Sequence, residues 1–234
     1  MATSACFITG TDTGVGKTCV SLALVEILKK AGYSAGAMKP VASGCINSSD
    51  GLRNRDAMLM LAHARPGVDY QTINPYALSL PSAPVLAAQH EGVQIEAGPI
   101  LESFQKMSTD TDVVVVEGVG GWHIQLNEDL WLSDIVKILN LPVIMVVGMR
   151  LGCINHAILT AEAIMGNGCW LLGWIGSQVD PAYTDYDATL EILSESLAAP
   201  MIGSVPYIPG GNVEKMSGFL NNICNPDLGL VGER

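Results

Sequence analysis

Positive charge is scarce in this chain: 12 Lys and Arg stand against 23 Asp and Glu, a formal net charge of −11. The basic residues are scattered, so there is no patch to hold a polyanion, and nucleic acid and anionic membrane are poor partners. No uncharged apolar run approaches the ~18–20 residues that a spanning helix needs. The hydrophobic fraction of 49% instead suits a parallel sheet buried on both faces, plus a subunit interface. The cysteines Cys6, Cys19, Cys45, Cys153, Cys169 and Cys224 include no C-x-x-C pair and mostly sit in apolar runs or beside a glycine-rich turn. They read as reduced thiols of a cytoplasmic protein, which excludes a disulfide framework and a metal-thiolate site. His63, His90 and His156 lack partners at metal-ligand spacing, and His123, although near Glu117 in sequence, reads as a surface group. Residues 1–7 carry no basic region, so they do not read as a signal peptide. No repeat or low-complexity segment interrupts the chain, and its 234 residues are expected to form one α/β domain, 1–234.

What is present is organised around Gly10-Thr11-Asp12-Thr13-Gly14-Val15-Gly16-Lys17-Thr18. An apolar run at residues 5–8 leads into it and an amphipathic stretch follows, which reads strand, glycine-rich turn, helix. That is the context in which a phosphate-binding loop is expected. Glycines let backbone N–H groups point into one concavity, and the helix N-terminus adds positive dipole there. Lys17 can reach the outer phosphates and the Thr18 hydroxyl can ligate Mg²⁺. The loop is a variant, because the common G-x-x-x-x-G-K-[ST] pattern would place its first glycine at Thr11 and here it is Gly10.

In chain order, the first helix puts Val20, Leu24, Ile27, Leu28 and Ala31 on one face, with Lys29 and Lys30 near its end and Gly32 closing it. A strand over 34–38 stops at Lys39-Pro40, since proline cannot donate to a ladder. Residues 41–53 read as a polar Gly/Ser-rich loop, and a helix begins around Asp56. Residues 65–84 contain Pro66, Pro75, Pro81 and Pro84 and read as an irregular connection, followed by helices near 82–90 and 98–108. The run Val113-Val114-Val115-Val116 needs burial on both faces, the mark of a central parallel strand, and it ends in Glu117-Gly118. A flexible loop, Val119-Gly120-Gly121-Trp122, comes next. The remaining spacing predicts helix 132–139, strand 143–147, a helix after residues 152–156, strand 170–176, helix 183–197, strand 201–205 and a short C-terminal helix. Strands alternating with helices imply a doubly wound, mostly parallel sheet flanked by helices.

In such a sheet ligands bind beyond the carboxyl ends of the strands. The phosphate loop, Lys39, Glu117, residues 148–155, Ser177-Gln178 and Pro206-Tyr207 all follow strands, which a shared cleft explains better than chance. Taken singly, each has a plainer reading. Lysine or glutamate at a strand end can simply be solvated. Asp56 in a first helical turn offsets the dipole with no catalytic role. Gly152-Cys153-Ile154-Asn155 opens a helix whose free N–H groups suit a carboxylate or phosphate, yet spacing alone favours the plainer reading of Asn155 as the helix cap.

Together these residues resemble the ATP-dependent dethiobiotin synthetases of biotin biosynthesis, which are phosphate-loop NTPases. The resemblance runs nearly the full chain. It rests on the phosphate loop, Lys39-Pro40-Val41-Ala42-Ser43-Gly44, Gly51-Leu52-Arg53-Asn54 with Asp56, Glu117-Gly118 with Gly120-Gly121-Trp122, and Leu151-Gly152-Cys153-Ile154-Asn155-His156-Ala157. It implies a homodimer that closes 7,8-diaminopelargonic acid and CO₂ into the ureido ring of dethiobiotin, with ATP as co-substrate and Mg²⁺. By the resemblance Thr18, Asp56 and Glu117 hold Mg²⁺, Lys17 bridges the phosphates, and Lys39 stabilises a carbamate and the transferring phosphoryl group. Thr13 and Ser43 contact the amine or carbamate end of the substrate. Residues Gly152, Cys153, Ile154 and Asn155 clamp its carboxylate from the neighbouring subunit. Nucleotide contacts are expected from Gly14, Val15, Gly16, Lys17, Thr18 and Cys19, from Gly118 and Gly120, and from Ser177, Gln178, Pro206, Tyr207 and Ile208. The chain departs from some members at Gly14, where they carry an acid, and at Ser177-Gln178, where they read adenine with Asn-Asp.

The competing reading is a dimeric switch ATPase on the same fold, of partitioning or metal-insertion type. Such proteins typically carry a second lysine early in the loop and an Asp-rich switch after the second strand. This chain has Thr11-Asp12-Thr13 and Lys39-Pro40-Val41 at those places.

Overall fold

The computed structural model describes residues 4–220 and Leu230. Strand β1 (Ser4–Gly10) runs into the glycine turn and helix α1 (Lys17–Lys30), followed by β2 (Ala35–Met38). Short pieces come next: β3 (Val41–Ala42), β4 (Ile46–Ser48), β5 (Gly51–Arg53), α2 (Arg55–Ala62), α3 (Tyr70–Ile73) and β6 (Tyr76–Ala77). Helices α4 (Pro84–Glu91) and α5 (Ala97–Ser108) lead to β7 (Val113–Glu117), α6 (Leu132–Ile138) and β8 (Val143–Met149). The chain continues through α7 (Cys153–Gly166), β9 (Leu171–Gln178), α8 (Tyr186–Ser196), β10 (Met201–Val205) and α9 (Val213–Ser217).

Six strands form one sheet in the order β10-β9-β8-β1-β7-β2, and every neighbouring pair is parallel. The four valines of β7 are buried, as a strand covered on both faces requires. The winding runs from β1 outward to β2 on one side and to β8, β9 and β10 on the other. The carboxyl ends of β1, β2, β7 and β8 therefore lie side by side around the reversal, where a doubly wound sheet opens a crevice. Helix α1 closes as its sequence indicates, with Gly32 at φ +88° just past Ala31.

Two stretches expected to be irregular carry pairing. Within 41–53, β4 and β5 form an antiparallel hairpin, Ile46 opposite Arg53 and Ser48 opposite Gly51. Within 65–84, β6 pairs in parallel with β3, Val41 opposite Tyr76. Elements of two or three residues have no apolar period to detect, so only the tertiary pairing reveals them. Pro40 does turn the chain out of the main sheet, and its carbonyl accepts from Tyr76 N–H at 3.2 Å. Cys6, Cys19, Cys45, Cys153 and Cys169 are free thiols, while Cys224 lies outside the described residues. Among the described residues no helix is long and apolar enough to cross a membrane.

Candidate active site

The loop between β1 and α1 is set by glycine at Gly16, the N-cap of α1, with φ +94°. The left-handed backbone calls for glycine, and a Cβ there would also lie 2.7 Å from Ser177 Oγ, so that the serine side chain would have to turn away. Lys17 opens the helix, buried, and its Nζ donates to the carbonyls of Asp12 at 2.9 Å and Gly120 at 2.6 Å. Burial lowers its pKa to about 8, with Glu117 acting against that shift and Lys39 adding to it. Trp122, two residues beyond Gly120, is buried edge-on against Phe7, and its Nε1 donates to Asn167 at 2.8 Å. The Gly120 carbonyl is thus carried on an anchored loop.

Beside the loop, two strand ends and two helix starts bring Thr18, Lys39, Asp56 and Glu117 together. Lys39 Nζ lies 2.6 Å from Glu117 Oε1 and 3.0 Å from Asp56 Oδ2. Thr18 Oγ1 donates to the same Glu117 Oε1 at 2.9 Å. Burial opposes the charge on Lys39, but the two carboxylates and their hydrogen bonds outweigh it and raise its pKa. Glu117 is completely buried, and its second oxygen, Oε2, has no hydrogen-bond partner. A buried carboxylate oxygen without a partner is costly unless something is bound to it. With the Thr18 hydroxyl and the Asp56 carboxylate it makes a hard oxygen donor set of the kind Mg²⁺ takes, one or two carboxylates completed by phosphates and water. Among the described residues no cluster of three or more His, Cys, Asp or Glu competes as a metal site.

A second group stands on the other side of the loop. Ser177 packs over Gly16, and Gln178 Oε1 accepts from Tyr207 N–H at 3.1 Å, which ties the end of β9 to the segment after β10. Ile208 belongs to the same turn, its carbonyl accepting from Gly211 N–H at 3.0 Å, and a Cβ on Gly211 would lie 3.1 Å from Cys19 Sγ. Pro206 therefore begins a segment that folds back onto the start of α1. Val15 is buried against Gly148, and Gly118 is backed by Phe7. Gly14, at φ +75° with open space around it, holds a conformation that suits glycine and would strain an acid.

Not every expected residue joins the Lys39 group. Thr13 is exposed, its N–H donating to Asp12 Oδ1 at 2.7 Å. Ser43 lies between β3 and β4, with its carbonyl 3.5 Å from Asn54 Nδ2. At residues 152–155, Gly152 is the N-cap of α7 at φ +92° and Asn155 sits inside the first turn, exposed, so Asn155 does not cap the helix. Cys153 faces inward and is buried. Two features were not singled out from sequence. Arg150, directly after β8, forms an ion pair with Asp12 of the phosphate loop. Asn74 and Tyr70, in the stretch read as irregular, hydrogen-bond behind Lys39. A basic residue after a strand gave a faint signal for the first, and an isolated asparagine between prolines gave none for the second.

The parallel sheet, the glycine turn and the lysine at the head of α1 define a phosphate-loop ATPase fold. Two solved structures share the fold: a MinC:MinD cell division protein complex of Aquifex aeolicus (TM-score 0.58, 16% identity, 97% of this chain and 96% of that one), and a ParA family ATPase of Chlorobium tepidum TLS (TM-score 0.55, 12% identity, 95% and 92%). At such identities the likeness is one of fold. A family model described as an AAA domain matches residues 4–214. Sequence relatives narrow the class. The chain is 48% identical over 206 residues to the ATP-dependent dethiobiotin synthetase BioD of Xanthomonas euvesicatoria, spanning 88% of this chain and 92% of that protein. It is 45% identical over 211 residues to the enzyme of the same name from Xylella fastidiosa, spanning 90% and 93%. The chain belongs to the ATP-dependent dethiobiotin synthetase family.

Proposed function

We propose that this protein closes the ureido ring of dethiobiotin from 7,8-diaminopelargonic acid and CO₂, with ATP as co-substrate. The observation that carries the reading is Lys39, a charged ammonium buried beside the phosphate loop and held by Glu117 and Asp56. A solvated strand-end lysine needs no such setting, whereas an anionic substrate meeting a triphosphate needs a second fixed cation.

In this reading one substrate amine adds to CO₂ and loses a proton, giving a carbamate. A carbamate oxygen attacks the γ-phosphorus of ATP, ADP departs, and a carbamic-phosphoric anhydride forms. The second amine attacks the carbamoyl carbon and expels inorganic phosphate, closing the ring. The chain's work is positioning and charge neutralisation. Lys17 bridges the phosphates, which favour its charged form. Lys39 offsets the negative charge of the carbamate and of the phosphoryl group in flight. Thr18, Asp56 and Glu117 would hold Mg²⁺, which supplies further neutralisation of the phosphates. Thr13 and Ser43 orient the diamine end. Residues 152–155 present the start of α7 to the substrate carboxylate across a homodimer interface, and the exposed Leu151 and Leu159 nearby are consistent with burial there. Gln178, Ser177 and residues 206–208 flank the base. The family's reaction on small soluble metabolites, together with reduced thiols, supports a cytoplasmic location.

The test is phosphate release by the purified protein with MgATP and bicarbonate, with and without 7,8-diaminopelargonic acid. Release that depends on the diamine, with dethiobiotin seen by mass spectrometry, is expected. Release indifferent to the diamine, with no ring product, would instead favour the switch ATPase.

A further inference from the structure

Behind Lys39 runs a chain of hydrogen bonds, buried at its Lys39 end and half-buried at Asn54, that the reaction scheme does not use. Asn74 Nδ2 donates to the Lys39 carbonyl at 2.7 Å and to the Tyr76 carbonyl at 3.1 Å. Asn74 Oδ1 accepts from the Tyr70 hydroxyl at 3.0 Å, and that hydroxyl accepts from Asn54 N–H at 2.8 Å. Asn54 Oδ1 then caps α2, accepting from Asp56 N–H at 2.9 Å and Ala57 N–H at 3.3 Å. On the other side of the Lys39 residue, its N–H donates to the Ile73 carbonyl at 2.8 Å. Asn74 is 1% exposed, Tyr70 8% and Lys39 4%, so water cannot replace these partners at low cost. The Arg53 guanidinium lies 4.2 Å from the centre of the Tyr70 ring and covers its face.

The path starts at the backbone of Lys39 and ends at the backbone of Asp56, whose side chains are themselves paired at 3.0 Å. Polar networks that are fully satisfied in a buried setting fix geometry, because each member lost leaves another unpaired. We propose that Tyr70 and Asn74 are positioning residues. They set the distance between the Lys39 ammonium and the Asp56 carboxylate by clamping both backbones, and so couple the carbamate side of the site to its phosphate side. The inference rests on the roles given to Lys39 and Asp56 above.

Tyr70→Phe is the incisive variant, since it removes one oxygen and keeps the ring under Arg53. With saturating substrates its kcat should fall at least about tenfold, because small misplacement of reacting groups is expensive. KM for ATP should stay within about twofold, as Lys17 and its loop are untouched. In the nucleotide-free protein, amide hydrogen exchange should rise in peptides covering residues 37–42 and 54–58. Asn74→Ala should behave alike, and the double variant should be no worse than the worse single one, since both cut one path. Leu193→Ala, a buried truncation in α8, should lower Tm as much and leave kcat unchanged. Wild-type kcat in Tyr70→Phe, additive losses in the double variant, or a kcat loss in Leu193→Ala matching its Tm loss would each overturn the proposal. If the wild-type protein makes no dethiobiotin, the synthetase reading fails, and unchanged or raised exchange in those two peptides still decides the network.

Discussion

Lys39 and Glu117 are neighbours because of strand register. Met38 of β2 pairs with Val116 of β7, so the next residue on each strand emerges at the same level, and Lys39 Nζ reaches Glu117 Oε1 at 2.6 Å. The two residues are separated by 78 positions in sequence, and two adjacent strands bring them to one point. The pair shares its carboxylate oxygen with Thr18, so the phosphate loop, the second strand and the valine strand meet at a single atom.

Removing the cation should end the chemistry. Lys39→Ala is expected to lower dethiobiotin formation at least ~10³-fold, the scale of losing a preorganised charge in an active site, while MgATP still binds. The Glu117 carboxylate left behind destabilises the fold by about 3–5 kcal/mol, read as a lower Tm. Lys39→Ala with Glu117→Gln should recover Tm and not activity. An active Lys39→Ala enzyme would refute the role of Lys39.

Glu117→Ala should raise the Mg²⁺ concentration needed for half-maximal phosphate release by an order of magnitude or more, and Thr18→Val should do so less, since a neutral hydroxyl contributes less than a carboxylate. The check is an Mg²⁺ titration at fixed ATP. An unchanged midpoint in Glu117→Ala would remove it from the ligand set.

Lys17 gives a pH signature. Its pKa is lowered from 10.5 to about 8 in the folded chain, so between these values the unfolded state binds more protons. Its contribution to stability therefore rises with pH across that window and is least favourable below about 8. Phosphates restore the charge, so ATP binding above pH 8 should take up a proton and weaken by up to about tenfold per pH unit. Calorimetric titration in buffers of different ionisation heat measures the uptake. Binding with no proton uptake at pH 8.5 would contradict the shift.

Gly16→Ala should weaken ATP binding severely. The left-handed backbone costs roughly 1–2 kcal/mol for a residue with a Cβ, and that Cβ would meet Ser177 Oγ at 2.7 Å. Adding Ser177→Gly should relieve the collision and leave the backbone cost, so affinity recovers in part. Full recovery, measured by equilibrium ATP binding, would mean that the φ of Gly16 does not matter.

The sequence by itself determined the sheet and the loop. Four consecutive valines, a glycine turn before Lys17 and the alternation of apolar and amphipathic stretches are local signals, and burial on both faces or a positive φ permits few other readings. It also placed Lys39, Asp56 and Glu117 at element ends, and family motifs gave them roles. Only the tertiary structure decided that β2 lies against β7, which sets Lys39 on Glu117, and that β9 closes over Gly16. Strand order and register come from long-range packing, which no window of sequence contains. The hairpin of residues 46–53, the pairing of β3 with β6 and the path from Asn74 through Tyr70 to Asn54 were invisible for a related reason. The hairpin is short and exposed, the other two rest on partners supplied by distant segments, and the local chain of prolines and short polar runs carries no period that could announce any of them.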